Sequence, residues 1–393
     1  MQQYAHITGW GMSVPERVLT NEELARTVDT SDEWIVGRTG IHERRIAGPR
    51  ETTASLAIEA SRAALECADV SPRAIDLVIV ATSTPEYVFP ATACVVQDAL
   101  GASNAGAFDL SAACTGFIFA LEMGACAIRG GGLQTVLVIG SETMSRVINW
   151  KDRGTCILFG DGAGAFVLQA SETPGGVMAS IMRSDGSGGP ALKIPAGGSH
   201  LPTSLETVRE NQHFIQMDGK EVYRFATRVM VSATRDVVQA AGLSMDDVAL
   251  IVPHQANQRI IESAARTLNL PQDRFIVNLG RYGNTSSASI PIAICEAVNE
   301  GKIRPNDNLV LVGFGGGLTW GASLVQWNVT ARPEVSSLHR LGRRTVYALS
   351  GVRTAVRRGL RRVETLWTGN AESGDADENG NGNGSSSGNG HKH

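Results

Sequence analysis

The chain has 393 residues, enough for two domain-sized units or one large duplicated domain, and its 42% hydrophobic, 19% charged and 5% aromatic residues exclude a disordered or fibrous protein. A formal net charge of −4 gives no basis for nucleic-acid binding. No apolar run is long enough to cross a bilayer, and no signal-peptide pattern is visible.

Residues 53–68 are Ala-rich with recurring apolar positions and predict a helix, and AIDLVIVATS (74–83) then predicts a buried strand. FDLSAACTGFIFALEMGACAIRGGG (108–132) runs from a strand-like start through Ser-Ala-Ala-Cys114 into an apolar helix. Cys114 therefore sits at a strand-to-helix turn, where the positive end of the helix dipole favours a thiolate nucleophile. The ordinary alternative is a small buried thiol. That is the reading for Cys67, Cys94, Cys126, Cys156 and Cys295, which form no C-x-x-C pair and have no His at zinc-ligand spacing. Free thiols in a reducing cytoplasm are expected, with no metal site.

VLVIGS (136–141) predicts a second buried strand, and the Gly-, Pro- and Ser-rich residues 173–216 read as an irregular cap or linker beside a site. A helix over 225–241 precedes DVALIVPHQA (247–256), a strand that ends in Pro253-His254, with Asn257 placed to cap the next helix. His254 is at the C-terminal end of a buried strand, where α/β folds put functional groups, although a hydrogen-bonded core histidine is the usual alternative. In LGRYGNTSSASIPIAICEAV (279–298), Asn284 either shapes a Gly-Asn turn or offers its amide to a ligand. Gly315, Gly316 and Gly317 lie between two strand patterns (309–327), where they either form a hairpin or present backbone N–H groups to a ligand.

One offset recurs. A shift of 173 residues sets Ser71 on Ser244 and VLVIGS on LVLVGF (309–314). This implies two similar α/β halves, 1–172 and 217–330, with sheets buried on both faces. The same shift sets Cys114 on Ser287, three residues from Asn284, so a pseudo-twofold would bring the Cys and Asn loops together. A nucleophile, a His and an amide donor at one point is a thioester-chemistry constellation.

The order AAC-x-GF, PHQAN, GN-T-S-A-S and FGGG-TWG resembles β-ketoacyl-acyl-carrier-protein synthase III of the thiolase superfamily over about residues 4–328. TSDEWIVGRTGIHERR (30–45) and DRGTCILFGDGAGAFVL (152–168) resemble that family too. The resemblance implies a thiolase-like α/β/α/β/α body with Cys114, His254 and Asn284 catalytic. Asn284, where chain-elongating synthases have His, implies the group that holds synthase III and chalcone-synthase-like enzymes. It further implies an oxyanion hole from the Cys114 and Gly316 N–H groups, and CoA contacts at Trp34, Arg38, Arg153 and Asn257. Trp34 and Arg153 are expected as two faces around the adenine. Phe89 is implied at the acyl pocket, often from the partner subunit. Apart from the resemblance, Arg259 and Arg266 lie seven apart on one face of the helix after His254 and, with Gln255, are expected either to dock the acidic carrier protein or to form a solvated face. Substrates would be a short acyl-CoA and malonyl-acyl carrier protein, with no cofactor beyond the CoA thioester and a homodimer as the assembly. A starter enzyme of a polyketide or other secondary-metabolite pathway is the alternative.

The resemblance does not reach the tail. Residues 331–367 are basic, with eight Arg and one Glu over 338–367 and apolar positions at helical spacing. They suggest packing on the body, peripheral contact with an anionic membrane, or a contact for an acidic protein. Residues 368–393 are Asn-, Gly- and Ser-rich and read as a disordered end.

Overall fold

The computed structural model describes residues 2–329; the tail segments 331–367 and 368–393 lie outside them. The first half builds a sheet from β1 (Tyr4–Ser13), β2 (Leu77–Ala81), β3 (Gly106–Leu110), β4 (Thr135–Thr143) and β5 (Asp161–Ser171), in the order β1-β5-β4-β2-β3. The second uses β6 (Gly176–Ser184), β7 (Leu250–Pro253), β8 (Asn308–Gly315) and β9 (Thr319–Gln326), in the order β6-β9-β8-β7. The senses match as well. In each half the first two junctions are antiparallel and the next is parallel.

The helices sort into layers by their apolar faces. The longer ones are α1 (Asp32–Thr39), α2 (Thr53–Ala68), α3 (Thr92–Leu100), α4 (Gly116–Arg129), α5 (Gly219–Ala240), α6 (Gln258–Leu268) and α7 (Ser289–Asn299). Apolar on most sides, α4 and α7 fill the space between the sheets, touching β1, β4 and β9 or β5 and β7. By contrast α2 and α5 bury one face each, on the outer sides of the first and second sheets. The result is an α/β/α/β/α stack with its main core between the sheets.

The 173-residue repeat is structural: β2 and β7 start at 77 and 250, β4 and β8 at 135 and 308, α4 and α7 at 116 and 289. One boundary needs correcting. Residues 173–216 are not irregular throughout, because 176–184 form β6, an edge strand hydrogen-bonded to β9 along its length. Only the stretch after it, with the short pair Leu192–Lys193 and Gln216–Met217, runs over the site as a cap. No described helix is long and apolar enough to cross a membrane.

Candidate active site

Between β3 and α4 the chain makes a tight Ala113–Thr115 turn, with Ala113 held at φ 47°, a left-handed conformation that costs a non-glycine residue about 1–3 kcal/mol. Thr115 Oγ1 anchors the turn, 2.6 Å from Ala112 O and 2.8 Å from Thr319 Oγ1. Cys114 is 8% exposed and its Sγ donates to Ser286 Oγ at 3.5 Å. Burial pushes the thiol up to about 12, with the Glu142 charge adding to the effect and the Ser286 bond opposing it. In the substrate-free protein the thiol is therefore held protonated, in place of the thiolate expected at a helix start, and burial is the largest cause.

His254 follows β7 and is 1% exposed. Its backbone N–H donates to Val312 O (2.8 Å), Nδ1 lies 2.7 Å from Ser289 Oγ, and Phe314 packs edge-on at 5.3 Å. Burial lowers the imidazole to about 3, so the ring is neutral at physiological pH. A Ser289 hydroxyl donating to Nδ1 puts the ring proton on Nε2, which has no protein partner among the described residues.

Asn284 is fixed from three sides: its N–H donates to Leu158 O (2.8 Å), its carbonyl accepts from Gly160 (3.0 Å), and Oδ1 accepts the Ser286 N–H (2.8 Å). With Oδ1 so engaged, the side-chain NH2 is left to donate. Gly283 permits this geometry, because its φ of 63° and a would-be Cβ 2.8 Å from Leu158 O exclude a side chain. The turn that follows, Ser286–Ala288, opens α7, and together they reach both other site residues: Ser286 in the turn bonds the sulfur, and Ser289, the first residue of α7, bonds the imidazole.

Sequence reading missed the group behind this turn. Glu142, fully buried at the end of β4, accepts hydrogen bonds from Ser83 N, Thr84 N and Oγ1, Ser286 Oγ (2.9 Å) and Ser287 Oγ (2.9 Å). Burial raises its carboxyl above the ordinary range against those donors. The available signal was an acid closing an otherwise apolar, doubly buried strand, with Ser286 and Ser287 as its complement.

Gly315 ends β8 so close to the Cys114 turn that a Cβ would stand 2.7 Å from Cys114 N. Beyond it, Gly316 enters the hairpin to β9. Neither the Cys114 nor the Gly316 N–H has a backbone acceptor among the described residues, which leaves both able to face an oxyanion.

A cavity of ≈ 1330 Å³ opens beside Leu158 and is lined by Trp34, Arg38, Arg153, Lys220, Asn257 and Arg259, among others. Four predicted CoA contacts thus meet in one place, along with Arg259. Instead of standing apart, Arg153 lies on the Trp34 ring at 4.8 Å, with Arg38 also near it at 5.3 Å. Asn257 caps α6 and donates to Arg38 O at 3.2 Å. Gln255 was misassigned to docking. It is 1% exposed, donates to Pro253 O and Ile276 O, and accepts from Asn278 and Leu279, which makes it a structural tie. Arg266 is exposed on α6 but does not line the cavity. Phe89 is 85% exposed and is not brought to Cys114 within this chain.

The family models for 3-oxoacyl-acyl-carrier-protein (ACP) synthase III and its C-terminal region match residues 108–186 and 238–327. The β-ketoacyl-acyl-carrier-protein synthase III of Roseiflexus castenholzii is 52% identical over 328 residues, 84% of this chain and 99% of that protein. The enzyme of the same name from Symbiobacterium thermophilum is 54% identical, covering 82% and 97%. Among solved structures, the 3-oxoacyl-acyl-carrier-protein synthase III of Aquifex aeolicus superposes with a TM-score of 0.77 at 46% identity, over 82% of this chain and 99% of that one. A priming β-ketosynthase of a polyketide pathway matches at 38% identity with a TM-score of 0.78, over 84% and 98%.

Proposed function

The chain belongs to the 3-oxoacyl-acyl-carrier-protein synthase III family, and on that footing we propose that it is the acyltransferase that initiates fatty acid biosynthesis, joining a short acyl-CoA to malonyl-acyl carrier protein to give 3-oxoacyl-acyl carrier protein, CoA and CO2. The supporting observation is that the 284–289 segment holds Asn284 and touches both Cys114 and His254.

Cys114 attacks the acyl-CoA carbonyl, the oxyanion is met by the Cys114 and Gly316 N–H groups, and CoA leaves. Malonyl-acyl carrier protein then loses CO2, and its enolate oxygen is met by His254 Nε2–H and the Asn284 amide. Both are neutral donors across physiological pH. The resulting carbanion attacks acyl-Cys114. The reading assigns no metal or redox cofactor, since the CoA thioester is a substrate. Intact-mass spectrometry after mixing with acetyl-CoA tests it: one acetyl adduct is expected, absent in Cys114→Ala, and an adduct persisting in that variant overturns the nucleophile.

Finer features belong to the same proposal. The cationic cavity fits CoA, the adenine entering between Trp34 and Arg153 and the phosphates meeting Arg38. Arg259 and Arg266, both exposed on α6, suit an acidic carrier protein. Charge reversal at both should raise KM for malonyl-acyl carrier protein and leave acyl-CoA unaffected. Tyr87, Val88 and Phe89, 57%, 90% and 85% exposed, shortly precede Thr92 and Ala93, whose N–H groups donate to Asp109 of the edge strand β3, and a second copy is proposed to cover them. Phe89 would then close the partner's acyl pocket and favour acetyl or propionyl primers, with Phe89→Thr admitting longer ones. Sedimentation checks the dimer. A cytoplasmic setting and salt-sensitive contact of residues 338–367 with anionic vesicles complete the reading, and loss of vesicle binding on truncation to 1–332 tests the latter.

A further inference from the structure

Cys114 has a proton to lose before it can hold an acyl group, and the groups around it differ sharply in their ability to take it. His254 is committed through Nδ1 to Ser289, and a second proton on that fully buried ring is strongly disfavoured. Ser286 Oγ, by contrast, accepts from Cys114 Sγ at 3.5 Å and donates to Glu142 Oε1 at 2.9 Å, so sulfur, hydroxyl and carboxylate form one donor-to-acceptor chain. Every hydrogen bond Glu142 makes is accepted from a neutral group: Thr82, Ser83, Thr84, Ser286 or Ser287. Among the described residues no cation shares it. Cys114 is the titratable group across Ser286; Asp161 lies on β5 beside Glu142's partner Gly162, and Glu86 follows Thr84 by two residues.

We propose that Glu142 is the far end of a proton relay. As Cys114 Sγ bonds to the acyl carbon, its proton passes to Ser286 Oγ while the Ser286 proton passes to Glu142 Oε1. The bond from acyl carbon to CoA sulfur breaks with its electron pair on sulfur, and the CoA thiolate takes a proton from water. In the second half-reaction the carbon–carbon bond forms and the Cys114–acyl bond breaks with its pair on Sγ. The stored proton then returns from Glu142 through Ser286. One solvent proton is consumed per turnover, matching the carboxylate lost as CO2. The raised affinity of this buried carboxyl for a proton fits a transient store.

The relay rests on Cys114 being the nucleophile, and the test separates the two. Single-turnover acetylation by acetyl-CoA, read as CoA release and intact mass, is followed against pH in H2O and D2O for the wild type, Ser286→Ala and Glu142→Gln. Ser286→Ala keeps the N–H that Asn284 Oδ1 accepts, and Ala113 shows that alanine holds the same left-handed backbone, φ 47° against 49°. Expected is an acetylation rate about 10²-fold lower in both variants. Its solvent isotope effect should disappear, and its rate should rise in proportion to hydroxide because the proton must then leave to water. If Glu142→Gln does not fold, Ser286→Ala alone decides. Acetylation within twofold of wild type overturns the relay, as does a slower rate with the isotope effect and pH profile intact. Acetylation that survives in Cys114→Ala overturns instead the reading on which it rests.

Discussion

The Ala113–Thr115 and Ser286–Ala288 turns share a backbone: each opens an apolar helix between the sheets, and each begins with a non-glycine residue in the left-handed region, φ 47° and 49°. Their side chains differ at every chemically relevant place. Cys114 corresponds to Ser287, Ala81 at the end of β2 to His254 just after β7, and Glu142 in β4 to Gly315 in β8. The first half puts a carboxylate where it can hold the opposite turn, and the second leaves that position empty so that the Cys114 turn can approach. Duplication supplied the frame, and unlike substitutions on either side of the pseudo-twofold made it a site, with Cys114 from one half and His254 and Asn284 from the other.

Changes that make the halves more alike should be the most damaging. His254→Ala copies Ala81 into the second half. It should slow CO2 release from malonyl-acyl carrier protein about 10²–10³-fold while affecting Cys114 acetylation much less; equal losses would break the division of labour. Gly315→Ala begins to fill the second half as the first is filled, and its Cβ would press on Cys114 N. Displacing the turn by a fraction of an ångström should lower acetylation about 10²-fold, measured by CoA release. Ser287→Ala removes the hydroxyl bonded to Ala81 O (2.8 Å) and Glu142 Oε1 (2.9 Å). A fall in stability of about 1–3 kcal/mol is expected from urea unfolding, because buried acceptors lose their donor.

The smallest effect is one of pH. Burial holds His254 at about 3 against 6.5 for the ordinary ring, so between these values the unfolded chain binds a proton that the folded one refuses. Its contribution to stability is complete above about pH 6.5 and is lost as pH falls toward 3. The urea midpoint of His254→Gln should therefore drop less between pH 7 and pH 5 than that of the wild type.

Much of this frame was legible in the chain. The strand patterns around Val78 and Ile251, and the 173-residue shift relating them, are local and repeat in the structure. Cys114, His254 and Asn284 stood out because each sits where a buried strand or a turn meets a helix. What escaped depends on tertiary context. β6 is masked because MASIMRS, in the middle of a Gly-rich stretch, half-exposes one face and becomes a strand by pairing with β9. Gln255 looked available beside His254, yet it satisfies four backbone groups of the segments around it. The protonated state of Cys114 was hidden for a related reason: a helix start can be read from sequence, whereas burial of the thiol belongs to the folded chain.

The stacking of Arg153 on Trp34 has a kinetic consequence. A flat ligand entering between them competes with an intramolecular partner at a fixed and very high local concentration. Its apparent affinity is the intrinsic one scaled by the fraction of time the pair stands apart. On the proposed placement of CoA, Arg153→Ala removes a contact and a competitor together, and the two effects separate in time: CoA should dissociate faster, as expected for a lost stack, and also associate faster, as expected for an opened slot.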